Sequence, residues 1–294
     1  MSDPIVFDRK LLRARKERAR ALGPATFLVD RVAADLAERL DAVLRDFAVA
    51  VDLGTPTDAV RRALAGKKSI GTLIAADALR AQGLAVVADE EALPFRDGSL
   101  DLVVSALALQ LVNDLPGALI QIRRALKPDG LLLAAMLGGD TLTELRQAFA
   151  AAEAEVESGA SPHVAPFADV REVGALLQRA GLALPVTDVD RLTVRYASPF
   201  ALMADLRRMG AANALIERRR VPLRRATLSR MAEIYAERFA DGDGRIRATF
   251  EVIWLSGWAP HESQQKPLRP GSAKTRLADA LGVREIGTGE KAEN

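Results

Sequence analysis

The stretch that most constrains the fold is residues 47–58, an apolar run closed by an acid, a glycine and a turn. A short apolar run bounded by turn signals is typical of a buried parallel strand, and the amphipathic pattern of residues 59–64 predicts a helix after it. Nucleotide-like ligands bind at such corners, because glycine admits the ligand and the helix N-terminus offers free N–H groups. Here the loop has Gly54 alone, and Pro56 contributes no N–H donor.

The composition excludes several classes of function. The 294 residues can bury a substantial core, and we expect one α/β domain with appended helices. The net charge of +2 argues against a dedicated nucleic-acid binder. The absence of cysteine rules out disulfides, thiolate metal sites and cysteine nucleophiles, and two histidines are too few for a histidine-rich metal site.

The N-terminal segment, residues 7–22, is predicted to be a strongly basic helix. It carries seven basic residues: Arg9, Lys10, Arg13, Arg15, Lys16, Arg18 and Arg20. Two interpretations stay open, a solvated arm and a helix that engages an acidic partner or a membrane surface. The segment lacks the apolar core of a signal peptide, and no apolar run approaches the ~20 residues that span a bilayer, so we expect a soluble, cytoplasmic protein.

Strands and helices alternate after the first strand. Further strands are predicted at 69–76, 84–88, 100–109 and 131–137, with a helix at 113–126 that ends at Lys127-Pro128-Asp129-Gly130. Asp77 follows the second strand, 25 residues after Asp52, and Asp89-Glu90-Glu91 follows the third. The alternation predicts a parallel sheet with right-handed crossovers. A carboxylate at the position of Asp77 is suited to accept hydrogen bonds from ribose hydroxyls.

These signals come in the order and spacing of the class I S-adenosylmethionine-dependent methyltransferases, which the chain resembles over residues 31–137. The resemblance rests on Val51-Asp52-Leu53-Gly54, Asp77, Asp89 with Leu93-Pro94-Phe95, residues 100–105 and residues 126–130. It implies a Rossmann-like, seven-stranded methyltransferase sheet with helices on both faces. It also implies that S-adenosylmethionine is the cofactor, with Asp52 and Gly54 against its methionine part, Asp77 against the ribose, and Asp89 and Glu90 beside the adenine.

Later motifs resemble a narrower group, the methyltransferase-fold assembly factors of respiratory complex I and their bacterial relatives. These motifs are residues 138–142, Ser161-Pro162-His163, and Gly257-Trp258 with residues 261–264. A more distant similarity is to the malonyl-carrier-protein methyltransferase of biotin synthesis. The resemblance implies a protein or carrier partner, and possible partners include a complex I subunit.

The sequence departs from these families at two places. Pro56 and Asp58 replace the second and third glycines of the cofactor loop, and Asp58 is expected to turn a negative charge toward the cofactor's carboxylate. Gln110 and Leu111 stand where the narrower group usually has histidine and tryptophan. These changes leave open whether the cofactor is bound at all.

The second half of the chain predicts further helices at 141–157 and 169–180 and strands at 186–189, 192–196 and 246–255, the last antiparallel. Residues 199–240 are interpreted as a helical insertion, so the predicted organisation is an arm at 1–25, a methyltransferase-like domain at 26–265 and a flexible tail at 266–294.

Single residues in this half allow two readings each. His163 is either a substrate-pocket residue or a structural histidine, and Gln110 is a second pocket candidate. His261 with Glu262 is a weak candidate for part of an iron site, and Trp254 and Trp258 favour core packing over a substrate clamp.

Three hypotheses follow from the sequence. The first is a methyltransferase that acts on a protein or carrier, with methyl transfer assisted chiefly by proximity and no catalytic residue assigned. The second is a non-catalytic assembly factor that chaperones a respiratory-complex subunit. The third is arginine hydroxylation, the role reported for the mitochondrial member of the narrower group.

Overall fold

The sheet strands are β1 Phe47–Leu53, β2 Ile70–Asp77, β3 Val86–Val87, β4 Leu100–Ala106, β5 Leu126–Leu137, β6 Ala183–Tyr196 and β7 Ile246–Trp258. They come from a computed structural model that describes residues 5–80, 83–157 and 159–265, with residues 272, 279, 282 and 283. Residues Met1–Pro260 form one compact unit and His261–Asn294 another. The tail predicted at 266–294 lies outside the described residues apart from those last four.

The strands form one sheet in the order β3-β2-β1-β4-β5-β7-β6. Strands β1 to β5 pair in parallel, whereas β7 is antiparallel to both β5 and β6. The predicted Rossmann-like methyltransferase sheet is confirmed, including the antiparallel last strand. Because the five parallel strands all run in one direction, their carboxyl ends meet at one edge of the sheet, where ligands bind in this class of fold.

Eight helices of the described chain cover the sheet: α1 Arg9–Ala21, α2 Phe27–Asp41, α3 Ala59–Leu64, α4 Leu115–Ala125, α5 Thr143–Val156, α6 Val170–Arg179, α7 Pro199–Arg208 and α8 Arg225–Phe239. Side chains of β5 alternate between two cores, with Leu131 and Leu133 in one and Leu132 in the other. The first core contains α2, α3, α5, α7 and α8, and the second contains α4 and α6. Both faces of the sheet are therefore covered, as near-continuous apolar strands require.

Two local predictions were wrong. Residues 127–130 do not form a turn between helix and strand, because β5 begins at Leu126 directly after α4. The chain bulges there instead, with Asp129 at φ 64 and a register shift opposite Leu100 and Leu102. The two short strands predicted at 186–189 and 192–196 are one strand, β6, because β7 is long enough to pair with it throughout.

No helix among the described residues has the length and apolarity needed to cross a membrane.

The packing of β5 in the second core can be tested by its effect on stability. Leu132 is fully buried in the middle of β5, so truncation to alanine leaves a cavity. We expect Leu132→Ala to lower the free energy of unfolding by about 2–5 kcal/mol in urea titrations. The matched change Leu44→Ala, at a side chain 97% exposed, should cost less than about 0.5 kcal/mol. Equal losses in the two variants would contradict this placement of the core.

Candidate active site

A cleft of about 560 Å³ opens where β1 and β2 end side by side. Asp52 is the penultimate residue of β1 and Asp77 the last of β2, and both carboxylates are buried. The other residues of its lining include Arg20, Pro24, Thr55, Pro56, Thr57, Asp58, Arg61 and Arg62. The predicted strand–turn–helix corner is therefore one wall of an open cleft.

Asp52 is held at the floor of the cleft. Thr55 Oγ1 donates a hydrogen bond to Asp52 Oδ1 at 2.5 Å, and the N–H of Ala106 donates to the same hydroxyl at 3.2 Å. Burial raises the pKa of Asp52 to about 7, although the Thr55 hydrogen bond and the nearby charge of Arg61 act in the opposite direction. Asp52 therefore changes its charge near neutral pH.

Gly54 is required where it stands. Its backbone has φ +70, in the left-handed region, and its N–H donates to the carbonyl of Ala76 at 2.7 Å. A Cβ at this position would lie 2.6 Å from Glu90 Oε1, which is itself buried and has no hydrogen-bond partner among the described residues. The missing side chain of Gly54 thus makes room for the carboxylate of Glu90, one oxygen of which accepts no hydrogen bond from the described residues. This arrangement fits a ligand with N–H or O–H groups, such as the cofactor that the resemblance implies.

The basic helix α1 packs over these acidic residues. Arg9 Nη2 lies 2.6 Å from Asp89 Oδ1 and 2.5 Å from Glu90 Oε2. Lys16 Nζ lies 3.7 Å from Glu90 Oε1, and Arg20 Nη2 lies 3.4 Å from Asp77 Oδ2. The acidic partner that the sequence analysis left open thus includes acids of the same chain. The sequence signal for this contact is the pair of complementary charge runs, seven bases at 7–22 and three acids at 89–91.

The pKa values of Asp77 and Asp89 shift in opposite directions, although both acids contact α1. Burial raises the pKa of Asp77, and Lys16 and Arg20 offset only part of that effect. Burial also acts on Asp89, but the hydrogen bond from the N–H of Glu91 and the bonds from Arg9 outweigh it, so the pKa of Asp89 is lowered. Asp89 is thus bound to α1 and to its own turn, whereas Oε1 of Glu90 accepts no hydrogen bond within the described part of the chain and is only in ion-pair range of Lys16.

A second, mainly apolar cavity of about 330 Å³ adjoins the cleft and shares Arg20, Pro24, Pro56 and Thr57 with it. Gln110 lines this cavity from a 3-10 turn, Leu109–Leu111, after β4. Its Nε2 donates to the carbonyl of Leu107 at 2.8 Å, and its buried Oε1 has no hydrogen-bond partner among the described residues. Gln110 thus offers an acceptor in a largely apolar space.

His163 lines the same cavity and is fixed by α5. Its ring stacks on Phe149 with centroids 3.9 Å apart, and its Nε2 lies 2.9 Å from Glu153 Oε1 and 3.2 Å from Ser161 Oγ. Burial acts to raise the pKa of Glu153, but hydrogen bonds from His163 and Ser161 lower it overall. Both pocket candidates, Gln110 and His163, therefore lie in one cavity. Glu153 was missed, because nothing in its helical surroundings marks it as buried.

The remaining candidates are held by other contacts. Asp58 is exposed and its Oδ1 accepts a hydrogen bond from Arg62 Nε at 3.0 Å, so its charge is paired rather than directed at the loop. Trp254 is buried in the core and donates to Asp190 Oδ2 at 2.7 Å. His261 Nδ1 shares a 2.7 Å hydrogen bond with Ser263 Oγ. The described residues contain no group of three or more metal-ligating side chains of the His, Cys, Asp and Glu types.

Gly54 and Gly66 form a matched pair for a test of the cleft. Both have positive φ, +70 and +78, but a Cβ on Gly66 meets nothing within 4 Å. Backbone strain should lower the free energy of unfolding of each alanine variant by about 1–2 kcal/mol, and Gly54→Ala should also displace Glu90. We expect thermal or urea unfolding to show a larger loss for Gly54→Ala. Equal losses would mean that Glu90 does not press on Gly54.

The raised pKa of Asp52 should make the stability of the protein depend on pH. This pKa is raised from 3.8 to about 7, so the folded state holds a proton that the unfolded chain has lost, and stability falls as pH rises from about 4 through 7. The loss is on the order of 4 kcal/mol. Asp52→Asn should flatten this fall and be more stable than the wild type at pH 8, measured by urea unfolding across pH.

Asp188→Asn is the control for this pH series. The hydrogen bond from Arg39 lowers the pKa of Asp188, so this variant should gain no stability at pH 8. A wild-type pH slope that persists in Asp52→Asn would contradict the assignment.

Comparisons with known proteins point to one family of enzymes. Residues 49–134 match the family described as Methyltransferase domain. Human mitochondrial arginine-hydroxylase NDUFAF5 is 42% identical over 287 residues, covering 93% of this chain and 83% of the relative. Malonyl-acyl-carrier protein O-methyltransferase of Laribacter hongkongensis is 36% identical over 293 residues, covering 92% of this chain and 96% of the relative.

A solved structure shows the same fold. A protein from Bacillus halodurans, provisionally assigned as a methyltransferase, superposes with a TM-score of 0.52 at 17% identity, covering 78% of this chain and 99% of that chain. The sequence relatives extend over almost the whole chain, beyond the region that the family match covers. The chain therefore belongs to the class I S-adenosylmethionine-dependent methyltransferases, among the relatives of the complex I assembly factors.

Proposed function

We propose that this protein binds S-adenosylmethionine in the cleft and methylates an acceptor that a protein or carrier partner presents in the adjoining cavity. The observation that carries the proposal is the continuity of the two spaces, since Pro56 and Thr57 line both. A methyl donor in the cleft would lie next to an acceptor in the cavity. Bringing two reactants together in this way supplies a large part of the rate enhancement in a transfer reaction.

Two acids of the cleft, together with Glu90, which packs against Gly54 behind it, suit the parts of the cofactor. Asp52 would receive the ammonium of the methionine part, Asp77 would accept hydrogen bonds from the ribose, and Glu90 Oε1 would accept one from the adenine amino group. Asp89 holds α1 in place beside these acids, because it forms ion pairs with Arg9 and Arg13 of that helix. When bound, the cofactor supplies an electrophilic methyl group, and the protein supplies position and the exclusion of water.

The cavity favours an apolar acceptor with an anionic group. Its lining is mostly apolar and, within the described part of the chain, includes no Asp or Glu. Its ionisable lining residues are Lys16, Arg20, His163, Arg207 and Arg208. This chemistry is compatible with a carrier-linked acyl group, and one relative is named as a malonyl-acyl-carrier protein O-methyltransferase.

An acceptor that carries a proton on the reacting atom would need a base. In this proposal His163 has that role, because Glu153 and Ser161 engage Nε2 and leave Nδ1 to take the proton. A carboxylate acceptor needs no base, and His163 would then orient the acceptor.

A second candidate function is assembly of respiratory complex I without methyl transfer. Pro56 favours it, because proline removes a donor from the cofactor loop. Human NDUFAF5, a relative across most of the chain, is named as an arginine hydroxylase, so hydroxylation of a protein partner belongs to the same alternative. A scaffold of this kind would bind its protein partner whether or not it bound the cofactor.

Calorimetric titration with S-adenosylmethionine and S-adenosylhomocysteine tests the proposal. We expect micromolar binding by the wild type and at least a tenfold loss in Asp77→Ala, because the ribose loses a charge-assisted hydrogen bond. Asp97→Ala, which removes an exposed carboxylate paired with Arg124, should bind like the wild type. Absence of heat and of a thermal shift up to millimolar ligand would refute the methyltransferase proposal and favour the assembly factor.

A further inference from the structure

Three backbone positions in and directly after the loop that follows β1 have no free N–H for an anion. Pro56 has no N–H, the N–H of Gly54 is bonded to the carbonyl of Ala76 at 2.7 Å, and that of Ala59 is bonded to Thr57 Oγ1 at 3.2 Å. In a glycine-rich loop, free N–H groups of this kind receive negatively charged groups. A positively charged side chain at this end of the cleft would therefore compensate for donors that the loop lacks.

Two arginines of α3 lie at this end, and their surroundings differ. Arg62 Nη2 lies 2.7 Å from Asp30 Oδ1, and Arg62 Nε lies 3.0 Å from Asp58 Oδ1. Its charge is shared between two carboxylates. Arg61 is half-buried, lines the cleft, and has no hydrogen bond or ion pair with any side chain in the described part of the chain. Arg61 is thus the cation of α3 that remains available to a ligand.

The acids of the cleft do not cancel Arg61. Asp58 is paired with Arg62, and Asp77 faces Arg20. Asp52 feels the charge of Arg61, but burial raises the pKa of Asp52 to about 7, so it is only partly ionised at neutral pH. The loop end of the cleft therefore keeps a positive charge that is largely unbalanced.

We infer that Arg61 binds the carboxylate of the cofactor's methionine part, in place of the backbone donors that a glycine-rich loop would supply. The inference rests on the proposed function, since it assigns a residue to the same cofactor. It follows from charge and position, because the carboxylate is the only anionic group of S-adenosylmethionine and the resemblance places the methionine part against Asp52 and Gly54. Guanidinium groups bind carboxylates through paired, charge-assisted hydrogen bonds.

Two ligands that differ only in the carboxylate test the inference. S-adenosylmethionine and decarboxylated S-adenosylmethionine are titrated calorimetrically into the wild type, Arg61→Gln and the control variant Arg124→Gln, which changes an exposed arginine that is paired with Asp97 and does not line the cleft. We expect Arg61→Gln to weaken the binding of S-adenosylmethionine by about tenfold or more, which is the effect of losing one charge-assisted hydrogen bond. The affinity for the decarboxylated ligand should stay unchanged. Arg124→Gln should change the affinity for neither ligand by more than a few-fold.

The outcomes separate the inference from the proposed function. If the wild type binds S-adenosylmethionine and Arg61→Gln weakens both ligands equally, or neither, Arg61 does not bind the carboxylate and the inference is overturned while the proposed function stands. A wild type that binds neither ligand overturns both. Thermal unfolding of each variant identifies any loss caused by misfolding, and partial recovery of affinity in Arg61→Lys would support a charge effect.

Discussion

Burying several carboxylates at one edge of a sheet requires positive charge to be brought to them, and this requirement dominates the structure. Parallel pairing places the ends of β1, β2 and β3 together, so Asp52, Asp77 and Glu90 converge. Isolated buried charges are costly unless they are paired or neutralised. The chain uses both solutions, because α1 brings bases to Asp77 and Glu90, whereas Asp52 shifts its pKa.

The sequence predicted the features that depend on local pattern. Short apolar runs bounded by turn signals predicted β1 and β2, which the structure forms at these positions. The destination of α1 was left open, because charge alone does not tell which acids a helix will meet. Glu153 was also missed, since its burial depends on a loop that returns over α5.

The altered cofactor loop has a different meaning once its neighbours are known. The sequence predicts that Asp58 adds negative charge to the site, but in the structure that charge is paired with Arg62. The loss of N–H donors at Pro56 is real, and it can be judged only together with the side chains of α3. A motif written as consecutive letters records the backbone contribution to a site and omits charges supplied one helical turn later.

The contact between α1 and the turn after α7 has a thermodynamic consequence. Gly210 has φ +73, and a Cβ there would lie 3.2 Å from the Cα of Lys16, so the turn fits closely against the backbone of the residue that faces Glu90. The same turn lines the apolar cavity. A ligand that displaced Lys16 would therefore alter the wall of the cavity and change its affinity for an occupant. By linkage, that occupant would change the affinity of the cleft for the ligand by the same factor.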